Sequence, residues 1–287
     1  MISMYAYEVT AWKHLLVLIL LGLSHPTLSQ SFNGEVIDAD TGLPLQYANI
    51  GIVGKNIGGI AFRDGIFNIA LKGMESSDTI KVSYIGYQSQ LIPAATLELS
   101  LYHKIRLKPS AVLLKPIIVR EKRQIKILGN AKAGQARTGW GDLQSLRGRT
   151  RGLKITDIEC NVRAKSFCFK IDDNEWDSVA FRLNFLESKD GDSTGESILA
   201  ENIFVVTSAK RRWVCVDLER YDLLLCGSVI ATLEWVDAWG KTGIYSNVLT
   251  FSLSKTPGYE YMREAGEENG KLQWTATSPA MYLEVYH

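Results

Sequence analysis

Between residues 34 and 107, apolar and polar positions alternate in short runs. Ala48, Ile50 and Ile52 point one way, Asn49 and Gly51 the other. Phe67, Ile69 and Leu71 repeat the two-residue period, as do Ile80, Val82 and Tyr84. A period of two marks half-buried strands. Asp40-Thr41-Gly42, Gly58-Gly59, Asp64-Gly65 and Gly86 supply the turns between them. About seven strands in about 75 residues predict a small β-sandwich over 30–108, because one sheet must bury its apolar face against another.

The same period returns from residue 155 onward. Residues 178–185 (SVAFRLNF), 213–218 (WVCVDL), 228–235 (SVIATLEW), 248–253 and 282–286 all alternate, and 187–196 (ESKDGDSTGE) reads as a polar loop. No stretch predicts a long helix. The expectation is an all-β chain: a seven-stranded, prealbumin-like sandwich, then a second, jelly-roll-like sandwich over 155–287. The N-terminus follows a different pattern. Lys13 precedes the apolar run 15–23 (LLVLILLGL), and small residues follow at Thr27 and Ser29. This is the anatomy of a secretory signal peptide over 1–29. Nine apolar residues fall short of the roughly 20 a membrane span needs. The chain is therefore expected to be exported, to the periplasm or the cell surface with outer-membrane association possible, and to keep no transmembrane segment after cleavage.

Charge divides the chain where hydropathy does. The formal net charge is +1, so no global field draws it to nucleic acid or anionic lipid. Residues 104–154, however, hold 14 Lys and Arg against Glu121 and Asp142, about +12. Residues 109–154 read as a basic linker, with Ile117-Ile118-Val119 the one candidate strand and 129–152 irregular. The residues from 155 onward hold 13 basic and 21 acidic side chains. The belt would be either a solvated linker or a contact for anionic envelope surfaces. Nucleic acid is not an expected partner, because no recognition fold accompanies the charge. Gly139-Trp140-Gly141 and Gly148-Arg149-Thr150-Arg151-Gly152 lack the lysine and strand–helix context of phosphate loops. Cys160, Cys168, Cys215 and Cys226 allow three pairings, which sequence does not choose among, and none has zinc-ligand spacing.

Several runs of the first sandwich carry a family likeness. Gly34-Glu35-Val36-Ile37-Asp38 opens it; Thr41-Gly42-Leu43-Pro44-Leu45 and Tyr47-Ala48-Asn49-Ile50 follow. Asp64-Gly65-Ile66-Phe67 and Val82-Ser83-Tyr84-Ile85-Gly86-Tyr87 complete the set. In order and spacing these resemble the carboxypeptidase-regulatory-like domains, transthyretin-type sandwiches of exported proteins in Bacteroidetes-type bacteria. The chain departs from that pattern at 58–62, where Gly59, Ala61 and Phe62 replace the usual Thr and Asp. The resemblance implies a docking module; in relatives it precedes an outer-membrane barrel or accompanies a zinc carboxypeptidase domain, and neither is expected in residues 109–287, which are too few for the barrel. Residues 155–287 are similar, more weakly, to an uncharacterised sandwich found behind this domain, and no activity travels with that likeness.

Most catalytic chemistries lack their parts. Only His103 and His287 follow the signal peptide, too few for a hydrolytic triad or a typical zinc site. A carboxylate pair for glycan hydrolysis could come from Asp172, Asp173, Glu175, Asp177, Glu234 and Asp237, which read mainly as solvated loop charges. Asp172-Asp173-Asn174 and Asp190-Gly191-Asp192 are oxygen-rich enough for calcium, although hairpin turns use the same residues. No other cofactor or metal is expected. Among the tryptophans, Trp213 and Trp235 fall in strand patterns and read as core. Trp176 and Trp239 lie near turns and are the candidate ligand-binding platforms; Trp274 is a further indole able to stack. The expectation is a non-catalytic envelope protein that binds a protein or a glycan. The alternatives are a carboxylate-dependent glycan hydrolase and a purely structural envelope protein.

Overall fold

The computed structural model describes residues 31–98, 101–110, 124–139, 147–188, 194–240, 248–267 and 270–287. The expected signal peptide, Ile117-Ile118-Val119 and the Asp190/Asp192 pair lie outside the described residues. Ser31–His287 forms one compact unit. No helix among the described residues is long and apolar enough to cross a membrane.

The first sandwich contains seven strands. These are β1 (Ser31–Asp38), β2 (Asn49–Ile52), β3 (Gly58–Ile60), β4 (Ile66–Ala70), β5 (Thr79–Ser83), β6 (Gln90–Pro93) and β7 (Tyr102–Leu107). They form two sheets, β4-β1-β7 and β3-β2-β5-β6. β1 and β7 run parallel, and the remaining pairs run antiparallel. The inward residues are those of the two-residue period: Phe32, Val36, Ile50, Ile52, Phe67, Ile80, Val82 and Leu107 are all buried. Full burial of each such side chain is worth about 1.5–3 kcal/mol. His103 is a strand residue of β7. Its ring packs on Phe32 with centroids 5.0 Å apart, and its Nε2 lies 3.1 Å from the Glu98 carbonyl.

The remaining strands are β8 (Ile125–Gly129), β9 (Arg137–Gly139), β10 (Thr150–Asn174), β11 (Ser178–Ser188), β12 (Thr194–Ser197), β13 (Ile203–Thr207) and β14 (Trp213–Asp217). β15 (Leu224–Trp239), β16 (Leu249–Ser254), β17 (Gly258–Arg263), β18 (Lys271–Thr275), β19 (Ser278–Pro279) and β20 (Met281–Tyr286) follow. All thirteen are hydrogen-bonded into one continuous system. β10 is its spine. The 25-residue strand pairs with β14, β15, β16, β17 and β20. Register shifts near Ile158 accompany left-handed φ angles of 58° at Asp157 and 66° at Asn161. Bulges of this kind bend a strand and let it serve two faces of a sandwich. The core is aromatic: Phe167, Phe169, Phe181, Phe185, Trp235 and Phe251 meet there, with Phe169 and Phe181 centroids 5.6 Å apart. Cys168 stands opposite Cys215 on β14, and Cys160 bonds to Cys226 on β15, so two disulfides tie the spine to its neighbours.

Two expectations change here. The stretch read as an irregular linker contributes β8, β9 and the start of β10 where it is described, pairing with β20, β16, β15 and β17. Five of its cations pair with acids of the second sandwich, Arg147, Arg149 and Arg151 from part-buried positions and Lys126 and Arg137 at the surface. Lys126 pairs with Glu159, Arg137 with Asp172, Arg147 with Asp237, Arg149 with Glu264 and Arg151 with Glu260. The described part of the belt thus supplies counter-charge to five of the acidic residues behind it. The second change concerns Trp213. It stands on β14 edge-on to Tyr282 at 5.1 Å and is only half-buried, whereas Trp235 occupies the core as its pattern predicts.

Candidate binding site at the seam between the sandwiches

β11 and β15 alternate in sequence yet are buried on both faces. Phe181, Leu183 and Phe185, with Leu233 and Trp235, enter the core of the second sandwich. Ala180 and Val236 on the opposite face pack against Tyr47 and Ile60 of the first. The polar residues of that outer face, Arg182 and Glu234, are 2 % and 5 % exposed. Glu234 and Asp237 were expected as solvated loop charges. They are instead buried strand residues of β15, because the first sandwich covers the face from which they project.

A line of side chains crosses four strands there. Arg182 on β11 is the register partner of Glu234 on β15; Glu234 faces Thr150 on β10; Thr150 faces Arg263 on β17. The Arg182 Nε donates to Glu234 at 2.7 Å, and Arg263 pairs with the same carboxylate at 3.1 Å. The rest of the Arg182 guanidinium reaches across the seam. It donates to the Tyr47 carbonyl at 2.9 Å and to the Asn49 side chain at 3.0 Å. A buried guanidinium needs its donors satisfied, and the first sandwich supplies two of the acceptors.

Tyr47 is held at both ends. Its backbone is left-handed, φ 59°, a conformation costing about 1 kcal/mol or more outside glycine. Its carbonyl accepts from Arg182, and its hydroxyl donates to Asp237 Oδ2 at 3.0 Å. Burial, then the Asp237 carboxylate, push the Tyr47 phenol well above its ordinary range, so it remains a donor. Asn202 extends the contact by donating to the Ile85 carbonyl. Close backbone approach completes it: a Cβ on Gly266 (φ 83°) would lie 2.3 Å from the Gly58 nitrogen.

Beside this clamp lies an open groove of about 400 Å³ lined by both sandwiches. Phe62, Arg63 and Asp64 come from the turn before β4, and Asp237 and Trp239 from the end of β15. Phe62 is 45 % exposed. Arg147 stacks on Phe62 at 4.7 Å and donates to Asp237 Oδ1 at 2.6 Å. Its Nη1 is buried and unpartnered among the described residues. Asp237 also accepts from the Ala238 amide, so its oxygens are committed to the protein. Asp64 Oδ1 accepts from the Ile66 amide. Arg63 makes no ion pair among the described residues.

Of the two sequence-predicted platform residues, Trp239 lines this groove and Trp176 does not. Trp176 sits in the turn between β10 and β11, half-buried against the core, its ring edge-on to Trp235 at 6.3 Å. Its indole N–H is buried without a partner among the described residues. Trp274 is 60 % exposed on β18 and packs edge-on to Tyr259 at 5.0 Å. Sequence reasoning missed Phe62, Arg63 and Asp64. The signal available is the departure from the family pattern at 58–62, which sets Phe62 in the turn before β4.

Three of the candidate acids before β11 are engaged by the protein. Asp172 pairs with Arg137, Asp173 with Arg211, and Glu175 accepts from the Val248 amide. The Asn174 side chain caps its own turn, accepting from Trp176 N and donating to the Ala209 carbonyl. The oxygen-rich run 172–174 therefore spends its oxygens on arginines and a turn. Among the described residues no three His, Cys, Asp or Glu side chains are grouped to hold a metal ion.

Comparison with known proteins bears on the first sandwich. No curated protein matches the chain. Among solved structures, the chain is similar to the cysteine protease and lectin-like domains of Cwp84, a surface layer associated protein of Clostridium difficile. The TM-score is 0.41 at 9% identity, over 84% of this chain and 59% of that one. The chain thus spans about three fifths of that protein's length, and the likeness is too slight to carry fold or chemistry across. Residues 32–119 match the family model of the CarboxypepD_reg-like domain. That match covers the strands, the Tyr47-Ala48-Asn49 run and the turn glycines that carry the likeness in the sequence, and it supports reading the first sandwich as similar to CarboxypepD_reg-like domains.

Proposed function

We propose that the protein is an exported, non-catalytic binding protein of the bacterial cell envelope. In this reading the CarboxypepD_reg-like domain docks on the second sandwich and completes a ligand groove with it, and the ligand is an envelope protein or glycan. The observation that carries it is the composition of the groove: Phe62, Arg63 and Asp64 belong to one sandwich, Asp237 and Trp239 to the other. Two disulfides suit an oxidising compartment and so support export. Against the hydrolase alternative, the candidate carboxylates Asp172, Asp173, Glu175, Glu234 and Asp237 are engaged by cations or amides of the protein. An immobilised-ligand screen of the full chain against envelope glycans and surface proteins tests the proposal. Binding should be found and should weaken at least about tenfold in Phe62→Ala. Binding that survives Phe62→Ala intact would remove the groove from the account, and steady release of product from any glycan would replace it with an enzyme.

A further inference from the structure

The groove is specific enough in its chemistry to name a ligand class, taking as given that it is the binding site. We infer that it holds a pyranose ring of a neutral oligosaccharide, packed against Phe62 and Trp239, with Arg63 donating to and Asp64 accepting from its hydroxyls. A sugar ring has an apolar face of C–H groups and an edge of hydroxyls. It therefore asks for an aromatic surface beside planar polar side chains that pair with neighbouring hydroxyls. The groove offers that combination. Phe62 is 45 % exposed, and Trp239 stands half-buried next to it. Arg63 has no ion-pair partner among the described residues, and Asp64 has one oxygen free of the turn that uses the other.

The remaining charged groups are a frame. Asp237 is saturated by Arg147, Tyr47 and the Ala238 amide, and Arg147 stacks on Phe62. Together they fix the ring of Phe62 relative to β15, so these residues act by positioning. Charge sets the class. Two guanidiniums, Arg63 and Arg147, stand among two carboxylates, Asp64 and Asp237, so the groove carries no excess of either sign. An acidic sugar would meet Asp64, and a cationic one Arg63; a neutral polyol pairs with both. Size agrees, because about 400 Å³ lies within the range of small-ligand sites. Arg147, the belt cation at the groove, is engaged by Asp237, and four further belt cations pair with acids of the same molecule.

The test is calorimetric titration of the full chain with neutral gluco-, galacto- and manno-oligosaccharides of two to four rings, and with oligogalacturonates. At least one neutral series should bind, more tightly than any acidic one. Phe62→Ala and Asp64→Asn should each weaken it about tenfold or more. Trp274→Ala, at an exposed indole away from the groove, should leave it unchanged. Phe62 and Asp64 are surface residues, so both variants are expected to fold, and circular dichroism verifies this. Tighter binding of oligogalacturonates, no binding of any neutral sugar, or binding that follows Trp274 instead of Phe62 would each overturn the inference. A protein ligand lost on Phe62→Ala, with no sugar bound, would overturn the ligand class and leave the groove standing. Indifference of every ligand to Phe62→Ala would overturn the groove itself.

Discussion

Replacing Arg182 by methionine keeps most of the side-chain volume on β11 and removes the charge. Glu234 then loses the two donors that Arg182 directs at it, Nε and Nη2, and the Tyr47 carbonyl and Asn49 side chain lose theirs. Breaking a buried ion pair by removing one partner costs about 3–5 kcal/mol, because the surviving charge stays buried. Glu234 keeps Arg263 at 3.1 Å, which places the cost near the lower limit, about 3 kcal/mol. Tyr47 adds to it, since its left-handed backbone is no longer clamped at the carbonyl. For a chain of this size about 3 kcal/mol lowers Tm by roughly 6–12 °C. Scanning calorimetry and urea denaturation of the full chain read this directly. The double variant Arg182→Met with Glu234→Leu removes the orphaned carboxylate as well and should recover at least about 1 kcal/mol of the loss. A single variant that costs under about 1 kcal/mol, or a double variant as unstable as the sum of its parts, would show that the two groups are not coupled.

The Tyr87 hydroxyl donates to Asp38 Oδ2 at 2.8 Å; burial, then this bond, push the phenol up to about 12, while Tyr87 first and the Asp40 and Thr41 amides next hold Asp38 below its usual value. A raised phenol stabilises the folded state below its unfolded pKa of about 10, so stability should fall as pH rises from about 10 through about 12. The depressed Asp38 acts oppositely, its contribution vanishing as pH falls below the ordinary carboxylate range. Tyr87→Phe should flatten the alkaline loss and raise the Asp38 pKa, read by pH-dependent melting and by NMR titration. Peptide mapping without reduction should recover Cys160–Cys226 and Cys168–Cys215 and no other pairing. Cys168→Ser with Cys215→Ser, opening a bridge of sequence separation 47, should cost about 2–4 kcal/mol.

Strands were legible because period two is a local signal, and both sandwiches announce it. Residues 178–185 and 228–235 also alternate, and from that pattern Arg182 and Glu234 belong to a wetted face. Alternation says which residues share a face. It is silent on what covers that face, and here the cover is the Tyr47–Ile60 region, some 130 residues earlier in the chain. The same blindness hid the groove. Trp239 was noticed for its indole, whereas Phe62 and Asp64 sit in a turn whose neighbours are set only by the docking of two sandwiches. The belt 104–154 illustrates the converse. Its charge was plain, but a charge run does not reveal whether its partners are solvent, a ligand or the acids of the same molecule. Cysteine pairing was closed to sequence for a related reason, since it depends on the register of β10 against β14 and β15.

The clamp has a consequence for how this molecule can be inherited. Arg182 meets Tyr47 across 135 positions of chain and Asn49 across 133. A homologous first domain grafted in its place would have to bring a backbone carbonyl aimed as that of Tyr47 is and an amide side chain two residues later, or leave two donations of the guanidinium unmet at the graft. The halves are therefore not interchangeable beads on a string. Drift on either side of the junction has to be answered on the other, and lineages that keep Arg182 should keep Asn49, as those that keep Asp237 should keep Tyr47.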